Sequence, residues 1–521
     1  MKKQIVKRAG LLLMVTAGLA AGSSKLISDT ISSNHDTLKT TRLSVRPETA
    51  YVANASINKT TESYIDVPQT ALTTNNYPTA EVYNPALAKM GAVLSQSCYS
   101  KDLNDDDKPG YTNKDLKILG YDDIQLYNFD LSANDKYNSA TNIAYTIAHK
   151  TVEIDGKQAN SFIVVIRGTP DSKEWNGDFR WSLGDGQDLA KFWENNIYTL
   201  GKKVYDTFGE YCLAHSETIS PETVNKLFIT GHSRGGGTSE CLGYLFDKDI
   251  EANRGLMSGH SVINANATPI SKNDVLVYAI APTQAYHPGI EENTVDDQPE
   301  VKAYKNGAYN NIHSIVNPLD FVPTNPITKW GYQHVGTVHT LFNPKTVTPE
   351  TYGEFLKTYK NVGSLGVNDT RVLYSAADIN AGVGFGDGFE YTTLAARLKH
   401  DGSGVHGFAT SLHDICPNLI DFTTPEEVGV QISDKKKVNE WFSAEEFFHS
   451  YSNAFIGDQP FATPKLKRVV SAVVSNVVQT SEKAQAYKKV LKYLPTSPDG
   501  PNVAHHFCTT YIAWLFAAKT N

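Results

Sequence analysis

The sequence predicts an α/β protein with a mostly parallel central sheet flanked by helices, plus a mainly helical insertion. Three observations predict it. Short apolar runs at 162–166, 226–230, 275–280 and 312–316 lack polar alternation, as strands covered on both faces do. Helical periodicity separates several of these runs, at 192–212 and after Ser233. From about Asn343 to Ser497 the character shifts to helix-like segments, among them 352–359, 444–455 and 469–490, with a glycine-rich stretch at 382–388.

The start of the chain reads as an export signal. Lys2, Lys3, Lys7 and Arg8 precede the apolar stretch Ala9 to Ala21, which ends in small residues, and cleavage is expected near residue 22. The alternative, an uncleaved membrane anchor, suits this run less because it is short for a span. No later segment is apolar and long enough to cross a bilayer. The formal net charge of −8 becomes −12 once those four cations are removed, which disfavours nucleic acid as a partner. Residues 23–80 are rich in Ser, Thr, Asn and Asp, and are expected to form a polar disordered spacer or pro-segment.

Order is expected from Tyr83. Leu87, Met90, Val93 and Leu94 follow Asn84-Pro85 at helical intervals. The acidic stretch 102–110 resembles a calcium loop, but its spacing fails and a solvated loop is expected. Residues 142–153 and 162–166 read as strands around a turn at Asp155-Gly156. Five widely spaced cysteines without a C-x-x-C pattern suggest neither a zinc site nor a disulfide scaffold; one or two bridges stay open. No metal or organic cofactor is expected.

The chemistry concentrates in Lys226-Leu-Phe-Ile-Thr-Gly231-His232-Ser233-Arg234-Gly235-Gly236-Gly237. An apolar run enters G-x-S-x-G, and Cys241, Leu242, Leu245 and Phe246 then recur along one helix face. A sharp strand-to-helix turn would expose the Ser233 hydroxyl while the glycines leave room and the first helical amides face the reacting centre. Arg167-Gly168-Thr169 ends a strand upstream, where a backbone N–H or the Thr169 hydroxyl could meet an oxyanion; the amide of Arg234 would be the second donor. Asp320, in Asn317-Pro-Leu-Asp-Phe-Val-Pro323, follows another strand, where an open α/β sheet places its site. It would orient a histidine; a turn aspartate beside prolines is the alternative.

Taken together with Trp175, Asp178 and Tyr332-Gln-His-Val-Gly336, these motifs resemble the class 3 (fungal-type) lipase family of α/β-hydrolases, which act on carboxylic esters, commonly acylglycerols. The resemblance implies a core at 81–342 completed by 498–521, with 343–497 as the insertion or cap. It implies Ser233 as nucleophile, Asp320 as triad acid, Thr169 as oxyanion residue and Asp178 as support for the oxyanion loop. Residues 170–195 would hold a lid whose Trp175, Phe179, Trp181 and Phe192 either cover an acyl groove or pack the core. The family's base lies just before a last helix bearing an aromatic; His506, five residues before Tyr511, fits that place, with His505 and His449 as alternatives. About 185 residues separate Asp320 from His506, a much longer connection than the family usually has. His334 lies in a stretch the family shows without using it as base.

The expected function is therefore a secreted serine esterase or lipase without a cofactor, acting on a lipid or other ester, with a lipid–water interface as one place of action. Triacylglycerol lipase, phospholipase A1 and esterase for plant-type aromatic esters are not ranked by the sequence. Acyltransfer or peptide hydrolysis by the same triad, and a non-enzymatic surface protein on a hydrolase scaffold, are the competing classes.

Overall fold

The computed structural model describes residues 40–45, 63–70, 72, 76–99, 111–129, 142–169, 197–215, 224–251, 271–284, 286, 309–318, 320, 322–324, 333–342, 347–363 and 503–518. Two units divide the chain, 1–41 and 42–521, and apart from Thr40 and Thr41 every described residue belongs to the second. The export signal, the 102–110 loop, the lid segment, Asp178, His449, Cys416 and nearly all of the insertion lie outside the described residues.

A seven-stranded sheet organises the described part. Its strands are β3 (Asp122–Tyr127), β4 (Tyr145–Ile154), β5 (Lys157–Ile166), β6 (Val224–His232), β7 (Val275–Ile280), β8 (Ile312–Val316) and β9 (Thr337–Thr340), in that spatial order. The first three pair antiparallel. From β5 onward every pairing is parallel. Asp155 and Gly156 both take positive φ, 52° and 74°, so a two-residue turn joins β4 to β5 in the hairpin that the dipeptide suggests.

Alternate side chains of each parallel strand enter two separate cores. Leu227 and Ile229 of β6, with Val275 and Val277 of β7, pack on α3 (Thr199–Ala214) and α4 (Arg234–Glu251). Phe228, Leu276, Tyr278 and Ile280 face the other way, onto α1 (Pro85–Ser97) and α7 (Cys508–Ala517). Asn84 caps α1, its side chain accepting from the amides of Ala86 and Leu87, and Pro85 needs no partner at the first helical position. Gly91 lets α1 approach β6: a Cβ there would lie 2.8 Å from Thr230 Oγ1. This mostly parallel sheet, covered on both faces and running strand–turn–helix through Ser233, is an α/β-hydrolase fold.

The expected spacer 23–80 needs correction. Within it, β1 (Thr40–Val45) and β2 (Ser63–Pro68) form a two-stranded sheet, and Leu43, Val45, Ile65 and Val67 join the core that α1 covers. Asp115 in α2 (Tyr111–Ile118) accepts from the Ser44 amide at 3.0 Å and its hydroxyl at 2.7 Å. Each strand buries only a few apolar residues, and β2 alternates them with exposed polar ones, so a composition average over the whole stretch hides them.

Of the expected insertion, the described part is residues 347–363. There α5 (Pro349–Val362), capped by Thr348, stacks Phe355 on Trp514 of α7 with ring centres 4.2 Å apart. Phe342 stacks on the same indole at 3.9 Å. The helix expected at 192–212 is observed from Thr199 to Ala214. Cys98, Cys212, Cys241 and Cys508 are buried, and no disulfide joins these four.

Candidate active site

Ser233 sits between the end of β6 and the start of α4 with φ of 61°. A non-glycine residue in the left-handed region is uncommon and costs free energy, and it persists here because both flanks are fixed. The Ser233 amide donates to the Ile280 carbonyl at 2.9 Å, and its own carbonyl accepts from Gly237 at 3.0 Å, beginning the helix. The glycines are forced by backbone crowding. A Cβ on Gly235 would lie 2.5 Å from the Ile166 carbonyl oxygen, and one on Gly231 would lie 2.7 Å from the Gly235 carbonyl carbon.

The structure brings Ser233, His506 and Asp320 into one hydrogen-bonded line, although 273 positions separate the first two. His506 Nε2 lies 2.9 Å from Ser233 Oγ, and Nδ1 lies 2.8 Å from Asp320 Oδ2. A carboxylate only accepts, so the ring proton is on Nδ1 and Nε2 receives the serine O–H. Such an imidazole can remove the hydroxyl proton while the carboxylate holds its orientation. All three residues are buried.

Each member is held from outside the line. Asp320 Oδ2 also accepts from the Tyr511 hydroxyl at 2.7 Å, and Oδ1 accepts from the Val322 amide at 2.9 Å. Tyr511 in turn accepts from the Asn317 amide at 2.9 Å. Burial, reinforced by the Asp320 charge, pushes the Tyr511 pKa well above its ordinary value and keeps its proton in place. His506 and His505 belong to α6 (Val503–His506). The His505 carbonyl accepts from Asn317 Nδ2 at 3.1 Å, so that residue joins the site through its backbone.

His232, inside the elbow, faces α1 and α7 rather than the serine. Its Nε2 donates to the His506 carbonyl at 2.8 Å, so its Nδ1 accepts from the Tyr99 hydroxyl at 2.7 Å. Burial, then the neighbouring His506, depress its pKa well below the ordinary histidine value. His232 is therefore a neutral strut that fixes the backbone of His506. Tyr99 was not legible as a site residue, because only tertiary structure brings it to the elbow from the end of α1.

Thr169 and Arg234 are both buried. Gly168 packs against the elbow: a Cβ on it would meet the His232 carbonyl at 2.5 Å and Ser233 Cβ at 3.0 Å. The 167–169 turn thus lies directly beside Ser233, where its amides can face a developing negative charge. The Arg234 side chain points elsewhere, donating to the Asn142 carbonyl at 3.0 Å. Among the described residues, no group of three or more His, Cys, Asp or Glu is arranged to hold a metal ion.

No protein-family model matches the chain, and no curated protein matches it. Among solved structures it is similar to a triacylglycerol lipase whose catalytic centre is a serine-protease triad, at 15% identity over 50% of this chain and 80% of that one, TM-score 0.28. A native Rhizomucor miehei lipase–propeptide complex is similar at 15% over 49% and 67%, TM-score 0.29. A fungal lipase is similar at 15% over 52% and 84%, TM-score 0.28. At these values the likeness carries no inference about chemistry, which rests on the residues and distances above.

Proposed function

We propose that this protein is a secreted, cofactor-independent serine hydrolase of carboxylic esters, lipase-like, with Ser233 as nucleophile, His506 as base and Asp320 as the orienting acid. The observation that carries the reading is the continuous contact from Ser233 Oγ through His506 to Asp320 Oδ2, on a serine held at positive φ. His506 takes the Ser233 proton as the oxygen attacks the ester carbonyl. Amides of Arg234 and of the Thr169 turn stabilise the oxyanion, and the imidazolium protonates the departing alkoxide. Water, deprotonated by the same histidine, then releases the acid and restores Ser233. Acylglycerols or related lipid esters are the substrates that the motif resemblance favours, with Asp178 supporting the oxyanion loop. Residues 81–342 and 498–521, with β1, β2 and α5 packed on them, would form the catalytic core, and the rest of 343–497 the insertion or cap, following an export signal at 1–22. No helix among the described residues is long and apolar enough to cross a membrane.

The test is hydrolysis of p-nitrophenyl esters of increasing chain length by wild type, Ser233→Ala and His506→Ala. Ser233→Ala should lose activity by a factor of about a thousand or more. Equal rates for wild type and Ser233→Ala would end the enzyme reading. Retention by His506→Ala with loss in His505→Ala or His449→Ala would move the base.

A further inference from the structure

We infer that Glu240 and His334 form a buried, charged clamp between the elbow helix and the loop bearing Asp320, with His334 acting as a positioning residue in its imidazolium form. The inference deepens the proposed hydrolase reading and rests on it.

Glu240 lies on α4 seven positions after Ser233, two helical turns along the helix that the nucleophile begins. Its Oε1 is 3.0 Å from His334 Nδ1. The other nitrogen, Nε2, is 2.8 Å from the carbonyl of Pro323, in the turn Val322–Thr324 that begins two positions after Asp320. A carbonyl cannot donate, so Nε2 carries a proton. Glu240 also receives the Ser314 hydroxyl on Oε1 at 2.5 Å and the Val335 amide on Oε2 at 3.3 Å, so both of its oxygens accept, as those of a carboxylate do. An ionised Glu240 accepts from Nδ1 as well, so both ring nitrogens donate and the ring is cationic. Deprotonation would release one end of the clamp.

The path then runs without a gap: Ser233, α4, Glu240, His334, Pro323, and through Val322 to Asp320, whose Oδ1 accepts the Val322 amide. Gly336, at φ of 83°, lets the His334 segment close onto Ile312, where a Cβ would lie 2.7 Å from the Ile312 Cβ. The groups facing His334 are few. Among the described contacts α4 offers Glu240, β8 offers the Ser314 hydroxyl to Glu240, and the acid loop offers a carbonyl. The next titratable groups along the path, Asp320 and His506, engage each other. Burial alone would depress the His334 pKa, but the Glu240 charge, the bond to it and the Pro323 carbonyl outweigh that, and the pKa is raised. With Glu240 ionised, the clamp is therefore held below that raised value and is lost as pH rises through it.

The test pairs a spectrum with a pH profile. In wild type, histidine side-chain ¹⁵N NMR, with His334 identified by its loss in His334→Asn, should show both ring nitrogens protonated at neutral pH. The alkaline fall of kcat should share the midpoint of the His334 titration. His334→Asn keeps a donor towards Glu240 and abandons Pro323. Per active site titrated with a fluorophosphonate, it should lower kcat about tenfold to a hundredfold, change KM little and lack that alkaline fall. A neutral His334 at pH 7, or an alkaline limb persisting unchanged in His334→Asn, overturns the clamp. If the variant does not fold, the wild-type spectrum and profile decide by whether their midpoints coincide. Failure of wild type to react with the fluorophosphonate or hydrolyse any ester would instead remove the hydrolase reading, and the spectrum would still decide the charge state of the pair.

Discussion

Tyr511→Phe isolates what holds Asp320 in place. The ring stays, so no cavity larger than a hydroxyl is made, and two hydrogen bonds disappear: 2.7 Å to Asp320 Oδ2 and 2.9 Å from the Asn317 amide. A bond to a carboxylate contributes about 1.5–3 kcal/mol, and a buried amide left without an acceptor costs about 1–3 kcal/mol. The two losses overlap because Asn317 and Asp320 share one short loop, so a destabilisation of about 2–4 kcal/mol is expected. Denaturant unfolding of both proteins, compared at their midpoints, measures it. Asp320 keeps His506 Nδ1 on Oδ2 and the Val322 amide on Oδ1, so its orientation is weakened rather than lost. Ester hydrolysis should accordingly fall about tenfold, equivalent to roughly 1.4 kcal/mol of barrier. Stability within about 0.5 kcal/mol of wild type, with unchanged hydrolysis, would refute the reasoning. The Tyr511 hydroxyl would then not be what supports the acid.

Two further perturbations probe strain and burial. Ser233→Gly relieves the left-handed backbone at φ of 61° that Ser233→Ala retains, so the glycine variant should be the more stable by up to about 1 kcal/mol, after the entropy cost of a freer unfolded chain; an alanine variant at least as stable would deny the strain. Asp247 is buried on α4 with Asn311 Nδ2 donating at 3.0 Å, and burial raises its pKa to about 7. Because the folded value lies above the unfolded one, its contribution is full below pH 4 and is lost as pH rises through about 7. Asp247→Asn should therefore flatten the pH dependence of stability over that window, by on the order of 3–4 kcal/mol, and a slope identical to wild type would contradict it.

Legibility in the sequence followed the range of each constraint. The elbow is local: the apolar run, the glycines that backbone crowding requires and the helix face after Ser233 lie within one short stretch. Asp320 has a local signal too, a loop acid at a strand end. His506 has none, since its contact with Ser233 spans 273 positions; among fifteen histidines only a family resemblance singled it out. His232 and His334 instead make hydrogen bonds to the carbonyls of His506 and Pro323. No periodicity announces such a role, because the partner is a backbone atom that tertiary structure delivers. Glu240 is hidden for a related reason: within a helix pattern a glutamate reads as solvent-facing, and only the fold supplies the donors that let it be buried.

The distance of His506 from the rest of the site follows from topology. Strands β5 to β9 lie in space in their chain order, so right-handed crossovers that step in one direction place their helices on one face. α3 and α4 occupy that face, and the opposite one must be covered by chain from outside the crossovers. α1 comes before them, α5 and α7 after, and His232 points into that second face from the end of β6. His506, arriving just ahead of α7, therefore meets the His232 imidazole already in place, which donates to its carbonyl. The connection through residues 364–502 is thermodynamically tolerable, because even a fully flexible chain adds only ~0.6 kcal/mol of closure cost for each doubling of its length. Burying Tyr511, Ile512, Trp514 and Leu515 of α7 contributes about 1.5–3 kcal/mol for each large apolar side chain, which outweighs that cost severalfold. The helix that follows His506 is thus held by its own packing.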